Sequence, residues 1–346
     1  MQKKQFGKIL VIRTDRIGDV LLSTPVFANL RKSFPNAHLA AMVTPYAKEI
    51  VEGNPNIDEV IIYDPKSKHK GWLSSIRFAR DLRKKKFDVA LVLHPTNRAH
   101  IVSFISGIKD RIGYDRKFAF LLTKRAAHLK QKGEKHERDY ALDLLKELGV
   151  EPEKSMPFMP IRKESEDWAL NLMNSFGLDP KQEKIVAIHA GASCISKRWP
   201  VESFANVAQR LINEKKAKVV LVGANTDMEL SGRLIKLIDS DSAVDLVGKT
   251  SVSRLASLLK RCKLFISNDS GPVHIASSVG TPVISIFGRN QPGLGPKRWG
   301  PLGKQDKFVH KNAGCLVCLA HNCNKGFLCL KAITTQEIVS LAESLL

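Results

Sequence analysis

Three loops collect the residue types that chemistry needs, and each follows a short apolar run. The first is Arg13-Thr14-Asp15-Arg16-Ile17-Gly18-Asp19, after the apolar residues 9–12. Gly18 permits a close approach or an unusual backbone angle. Asp19 stands where a helix begins, so it can cap that helix. An ionised aspartate pointing into a cleft can also take a proton from a hydroxyl as general base. The loop lacks the Gly-x-Gly-x-x-Gly pattern, which argues against dinucleotide binding.

The second loop is His189-Ala190-Gly191-Ala192-Ser193-Cys194-Ile195-Ser196-Lys197-Arg198-Trp199-Pro200. Small residues such as Gly191 and Ala192 expose backbone N–H groups, and Lys197 and Arg198 add positive charge, a composition that suits a diphosphate. An ordinary basic loop with a buried Trp199, and Pro200 opening a helix, fits the same residues. The third loop is Ser267-Asn268-Asp269-Ser270-Gly271-Pro272-Val273-His274. Ser270 and Gly271 place N–H groups at a helix N-terminus, a ready anion site. Asp269 can cap that helix or hold a ligand hydroxyl, and His274 is a ligand contact or a satisfied structural histidine. A further loop, Gly223-Ala224-Asn225-Thr226-Asp227, offers Asn225 or Asp227 to a ribose, or forms a simple turn.

The elements that must position these loops alternate. Strands are expected at 8–12, 38–43, 60–63 and 89–93, with helices at 20–34 and 74–85 between them. The proline-bearing stretch 151–162 looks like an interdomain segment. The rhythm then restarts, with a helix near 165–176 and strands at 185–189, 219–222, 264–266 and 283–287. Alternating strands and helices indicate parallel sheets covered on both faces. The expected fold class is therefore α/β, with two doubly wound domains facing each other across a cleft. In such sheets ligands bind beyond the carboxyl ends of the strands, which is where the three loops fall.

The chain has 346 residues, enough for two such domains. Its net charge is +21, and residues 1–150 hold 29 Lys and Arg against 16 Asp and Glu, a surplus of 13. An anionic partner is implied, whether nucleic acid, a phospholipid surface or a phosphorylated substrate. Aromatic residues make up 7% and do not interleave with the basic ones as base-stacking proteins require, so no nucleic-acid partner is expected. No run of about 18 apolar residues occurs, and residues 9–12 are too short for a signal peptide. A cytoplasmic location follows as an expectation.

Together the segments resemble glycosyltransferase family 9, the lipopolysaccharide heptosyltransferases. The resemblance rests on Ile9-Leu10-Val11-Ile12-Arg13 with Gly18-Asp19-Val20 and Pro25, and on Gly191-Ala192 with Lys197-Arg198-Trp199-Pro200. Leu246-Val247-Gly248-Lys249-Thr250 and Asn268-Asp269-Ser270-Gly271-Pro272-Val273-His274-Ile275-Ala276 complete it. It is similar to the second-heptose type. The resemblance implies a GT-B architecture of two Rossmann-like domains, residues 1–164 for the acceptor and 165–333 for the nucleotide sugar, with a helix at 334–346 packing back on the first. It implies inverting transfer of heptose from ADP-L-glycero-D-manno-heptose to the lipopolysaccharide inner core, on Kdo-lipid A or its heptosylated form. Asp19 would be the general base, and Lys197 would neutralise the departing diphosphate. Gly18, Gly191, Ala192, Asn225, Val247, Gly248, Asp269, Ser270, Gly271 and His274 would bind the donor. Arg98, Arg111 and Arg116 would meet acceptor carboxylates or phosphates, since arginine suits bidentate anion binding. No cofactor or metal would be required, and the basic first domain would work peripherally at the cytoplasmic face of the inner membrane.

One motif stands apart. Cys315-x2-Cys318-x4-Cys323-x5-Cys329 has the spacing of a four-thiolate metal site, although the family carries no metal role to these positions. Three other readings share part of the pattern, and the first is a member of the family with a different sugar donor or acceptor. A sugar-nucleotide epimerase of the same architecture would need no acceptor and no basic first domain. A non-catalytic anion-binding protein rests on the charge alone.

Overall fold

A computed structural model describes residues 5–346. It divides into two units, the first running to Gln131 and resuming over Lys135–Pro160, the second holding Lys132–Glu134 and Ile161–Leu346. The division falls at residue 160, where the sequence placed it at 164. Residues 151–160 carry no regular structure and are tied along the first unit by side chains. Glu153 N donates to Asn29 Oδ1 at 2.7 Å, and Phe158 N donates to Thr24 Oγ1 at 2.8 Å.

In the first unit the strands are β1 (Lys8–Ile12), β2 (His38–Val43), β3 (Glu59–Ile62), β4 (Val89–Val92), β5 (Asp110–Tyr114) and β6 (Lys124–Ala126). They form one parallel sheet in the order β3-β2-β1-β4-β5-β6. The helices are α1 (Ile17–Leu22), α2 (Thr24–Ser33), α3 (Lys48–Val51), α4 (Trp72–Arg83), α5 (Asn97–Ile105) and α6 (Glu137–Asp143). Strand residues alternate between two faces. Leu10, Ile12, Ala90 and Val92 share a core with Ala79 and Leu82 of α4 and Ala99 and Val102 of α5. The opposite face belongs to α1, α2, α3 and α6, which pack on one another. With helices on both faces, β1 and β4 are apolar and buried almost throughout.

The second unit repeats the plan. Its strands are β7 (Ile185–His189), β8 (Lys218–Leu221), β9 (Ala243–Asp245), β10 (Leu264–Asn268), β11 (Val283–Phe287) and β12 (Lys307–His310), parallel in the order β12-β11-β10-β7-β8-β9. Around it lie α7 (Lys163–Ser175), α8 (Val201–Lys215), α9 (Met228–Ile238), α10 (Val252–Leu259) and α11 (Gly271–Ser278). The single turns α12 (Pro296–Trp299) and α13 (Leu328–Lys331) follow, and α14 (Thr335–Glu343) ends the chain. Among the described residues no helix is long and apolar enough to cross a membrane.

The last helix corrects the sequence-based expectation, which packed it on the first domain. It belongs to the second. Ile338, Val339 and Ala342 are buried in one core with Phe204, Val207 and Leu211 of α8 and with the strands of the second sheet. Lys215 Nζ lies 2.9 Å from Glu343 Oε1, and the Trp199 indole donates to Ile333 O at 3.2 Å just before the helix. The apolar stripe of α14 is therefore already satisfied within its own unit.

Ile338→Ala should lower the stability of the second unit by about 3 kcal/mol, as for other fully buried isoleucines truncated to alanine. The denaturant midpoint reads this directly. A midpoint unchanged from wild type would show that the helix does not seal that core.

Candidate functional site

Both sheets reverse their strand order beside their first strand, between β1 and β4 and between β7 and β10. The loops leaving such a pair diverge to opposite faces and open a crevice at the carboxyl ends. In the first unit the register pairs Ile12 with Val92, so Arg13 and the residues after β4 emerge side by side. The Arg13 guanidinium is buried and gathers the loops around it. Its Nη1 donates to Leu93 O at 3.2 Å. Its Nη2 lies 2.7 Å from Asp19 Oδ1 and 3.0 Å from Glu137 Oε1, and its Nε 2.8 Å from Asp15 Oδ1. Lys130 Nζ completes the cluster at 2.6 Å from Glu137 Oε1, seated 4.6 Å over the Tyr114 ring.

Three carboxylates thus share two cations. Burial pushes the Asp15 carboxyl up, to about 7, against the pull of Arg13, and the neighbouring charges of Asp19 and Glu137 add to the rise. Burial opposes the charge on Arg13, but the three carboxylates more than offset it and raise its affinity for the proton. His94 responds the other way. Burial, then the positive charges of Arg13 and Lys130, lower its imidazole to about 4. Neutral at ordinary pH, His94 sits with Nδ1 3.5 Å from Thr14 Oγ1.

Asp19 lies in the first turn of α1, yet the helix has no side-chain cap. Its carboxylate turns to Arg13 instead, which excludes capping and leaves the side chain partly open to solvent. Gly18 is buried inside the same turn and takes no left-handed backbone angle.

The three expected acceptor arginines are not brought together. Arg98 donates to His69 O at 2.7 Å and Ser75 Oγ at 3.1 Å, and also to Lys70 O, so it ties down the loop before α4. Arg111 is at the amino end of β5, away from the carboxyl edge. Its guanidinium is spent on the carbonyls of Leu121, Ile108 and Lys109. Arg116 follows β5 at the carboxyl edge, exposed, and its charge reaches His94.

In the second unit β7 and β10 pair His189 with Ser267, setting the loops at 189–200 and 267–274 against each other. Asn268 stitches them, accepting from Trp199 N at 3.0 Å and donating to Ala190 O at 2.7 Å. Asp269 is buried, and Lys197 Nζ lies 2.6 Å from its Oδ2 and donates to its carbonyl at 3.2 Å. Arg289, in the loop after β11, brings Nη2 to 3.5 Å of the same carboxylate oxygen. Two cations therefore meet one carboxylate beside the N-terminus of α11. Ser270 does not cap that helix. Its hydroxyl lies 3.1 Å from His189 Nδ1, whose Nε2 is 3.5 Å from Asp227 Oδ2. Hydrogen bonding to His189, against the cost of burial, holds the Asp227 carboxyl below its ordinary range.

Two glycines here are required by contact. A Cβ on Gly191 would strike the Asp227 carboxylate and the His189 ring, and one on Gly248, at φ +76°, would strike Asn225 Oδ1. Asn225, Val247 and Gly248 are thereby brought to one edge, beside a small pocket lined by Gly191, Val222, Asp227, Leu230 and Val247. Ala192 lends its carbonyl to Arg198 Nη2 at 2.9 Å. His274 is buried on α11.

All six cysteines are free thiols. Among the described residues no group of three or more His, Cys, Asp or Glu side chains is arranged to hold a metal ion. Cys329 Sγ is directed at Gly288 O at 2.7 Å, and burial raises its thiol.

Several residues of these clusters escaped the sequence reading. Glu137 lies 124 positions from Arg13, and no local pattern links them. Lys130 is equally remote. Arg289 follows a strand directly through Phe287-Gly288, so its position at a carboxyl end was a usable signal.

The low affinity of His94 for a proton makes acid destabilising. The unfolded chain takes that proton near 6.5 and the folded one near 4. Between those values the folded state binds fewer protons, so stability falls as pH drops through them. From about pH 7 to pH 5 the wild type should lose up to about 2 kcal/mol more than His94→Asn, read from urea midpoints. Equal losses would refute it.

The sequence model of glycosyltransferase family 9 (heptosyltransferase) matches residues 75–328. Lipopolysaccharide heptosyltransferase 2 of Salmonella typhimurium is 25% identical over 98% of both chains. The structure of a family 9 glycosyl transferase from Veillonella parvula superposes with a TM-score of 0.88 at 26% identity, covering 99% of this chain and 98% of that one. The ADP-heptose LPS heptosyltransferase II of E. coli gives 0.80 at 22% identity over 98% of each and shares the fold. Two Rossmann-like domains of the GT-B kind, with these loops at their switch points, accord with the match, and the chain belongs to glycosyltransferase family 9.

Proposed function

We propose that this glycosyltransferase moves a heptose from ADP-L-glycero-D-manno-heptose to the inner core of lipopolysaccharide, with inversion, at the cytoplasmic face of the inner membrane. The observation that carries the reading is the pair Lys197 and Arg289 around Asp269 beside the N-terminus of α11. When the bond from the anomeric carbon to the diphosphate breaks, negative charge grows on the departing oxygen. Preorganised cations and helix amides are what stabilise it. Asp269 keeps both cations in place before substrate arrives, so they need no reorganisation. Asp227 and His189 hold Ser270 at the same helix end. The Asn225, Val247 and Gly248 edge is left for adenine and ribose.

Asp19 is the general base of this reading. It takes the proton from the acceptor hydroxyl as that oxygen bonds to the anomeric carbon, and the electron pair of the broken bond leaves with ADP. Arg13 orients the carboxylate. Arg116 and His94 lie on the same edge, an exposed cation and a neutral ring that suit an anionic sugar acceptor. The relatives named as lipopolysaccharide heptosyltransferases support heptose transfer to lipopolysaccharide, and the chemistry requires no metal if Lys197, Arg289 and α11 neutralise the diphosphate.

Calorimetry with ADP, UDP, GDP and CDP should show selective binding of ADP. Preference for another nucleotide would overturn the donor while leaving a glycosyltransferase. Asp19→Asn should retain ADP affinity and lose transfer by roughly 100-fold or more. Lys197→Ala should weaken ADP binding and slow transfer together. Near-normal turnover in Asp19→Asn would remove it from the role of base.

A further inference from the structure

In the first domain the face formed by α4, α5 and the turn at Ala119–Leu121 is studded with large apolar side chains in solvent. Leu73 is 84% exposed and Phe120 70%, and Trp72, Phe104 and Phe118 are exposed beside them. The elements that carry them pack side by side. Arg98 of α5 lies 4.9 Å from the Trp72 ring of α4, and α4 packs along α5. At the far end of α5, Arg111 lies 5.3 Å from the Phe104 ring and donates through Nε to Leu121 O of the adjoining turn. Phe118 and Phe120 stand 5.4 Å apart on that turn.

The charge around this surface is mainly positive, with exposed Asp81 on α4 and Asp115 ahead of the turn as the acidic exceptions. The fifteen residues from 66 to 80 carry Lys66, Lys68, Lys70, Arg77 and Arg80 and no carboxylate. All five are exposed. Exposed leucine, tryptophan and phenylalanine ringed by long cationic side chains match a lipid interface. The apolar groups enter the acyl boundary while the lysines and arginines extend to the headgroups. Isolated apolar residues on a surface need no explanation, but a contiguous group does. Anionic headgroups supply the opposite charge.

We infer that this face docks the first domain on an anionic lipid bilayer. The Trp72 end lies beyond β3, on the carboxyl edge that also carries Asp19, so docking brings the lipid surface to the edge assigned to the acceptor. That purpose rests on the proposed transfer to a lipid-linked sugar; the docking itself does not.

The test is co-sedimentation of the full chain, without nucleotide or acceptor, on vesicles of phosphatidylethanolamine and phosphatidylglycerol, with phosphatidylcholine vesicles in parallel. The chain should partition to the anionic vesicles and be released by high salt. Leu73→Glu combined with Phe120→Glu should lower the partition coefficient by about tenfold or more. Leu316→Glu, the same change at an exposed position of the second domain, should leave it unaltered. All mutated side chains are in solvent, and unchanged thermal melting confirms folding of each variant. Equal binding by the double variant, equal binding to phosphatidylcholine, or no vesicle binding by the wild type would each overturn the inference. Failure of the nucleotide panel would sink the transfer reading and leave this result standing.

Discussion

A parallel sheet whose strand order reverses beside its first strand has one place where its outgoing loops part. Everything functional here depends on that constraint, met twice. Between β1 and β4 the parting loops carry Arg13 and its carboxylates; between β7 and β10 they carry Lys197, Asp269 and Ser270. The helices bury both faces of each sheet, so the central strands are mainly apolar, with polar residues such as His189 and Asn268 at their carboxyl ends. Polar side chains then collect at the carboxyl edge, where backbone groups of the last strand residues and helix N-termini are available to them.

The two edges use charge in opposite ways. In the first domain one buried guanidinium is surrounded by three carboxylates, and Lys130 shares the load. A buried charge is tolerated when paired; burial raises Asp15, with the neighbouring carboxylates adding to it, and burial together with the cations depresses His94. In the second domain two cations surround one carboxylate, leaving positive charge beside a helix N-terminus. The first arrangement suits the proposed general base and the second the proposed departing diphosphate. The close approach of Gly191 to Asp227 and His189, and of Gly248 to Asn225, shows how tightly the second edge is built.

The α/β plan was legible because its signal is local. Apolar runs of strand length ended in loops rich in glycine and charge, so Asp19, Lys197, Asp269 and Ser270 could be placed at strand carboxyl ends from position alone. Arg98 and Arg111 show the limit of that reading. Arginine near an acceptor loop suits an anion, but both guanidinium groups satisfy backbone carbonyls of their own neighbourhood. Which donor meets which acceptor depends on the path of the folded chain. The last helix teaches the same point, since its apolar stripe was evident and its partner, α8, was not.

The order of apolar runs and loops by itself determined two doubly wound domains and the loops that would carry chemistry, since strand and helix periodicity and glycine placement act over a few residues. Tertiary structure alone decided what those loops do to one another. It set Glu137 against Arg13 across 124 positions, brought Arg289 to Asp269, and turned Asp19 from helix capping to an ion pair. Charge interactions act through space, and the dielectric that sets their strength exists only once the core has closed.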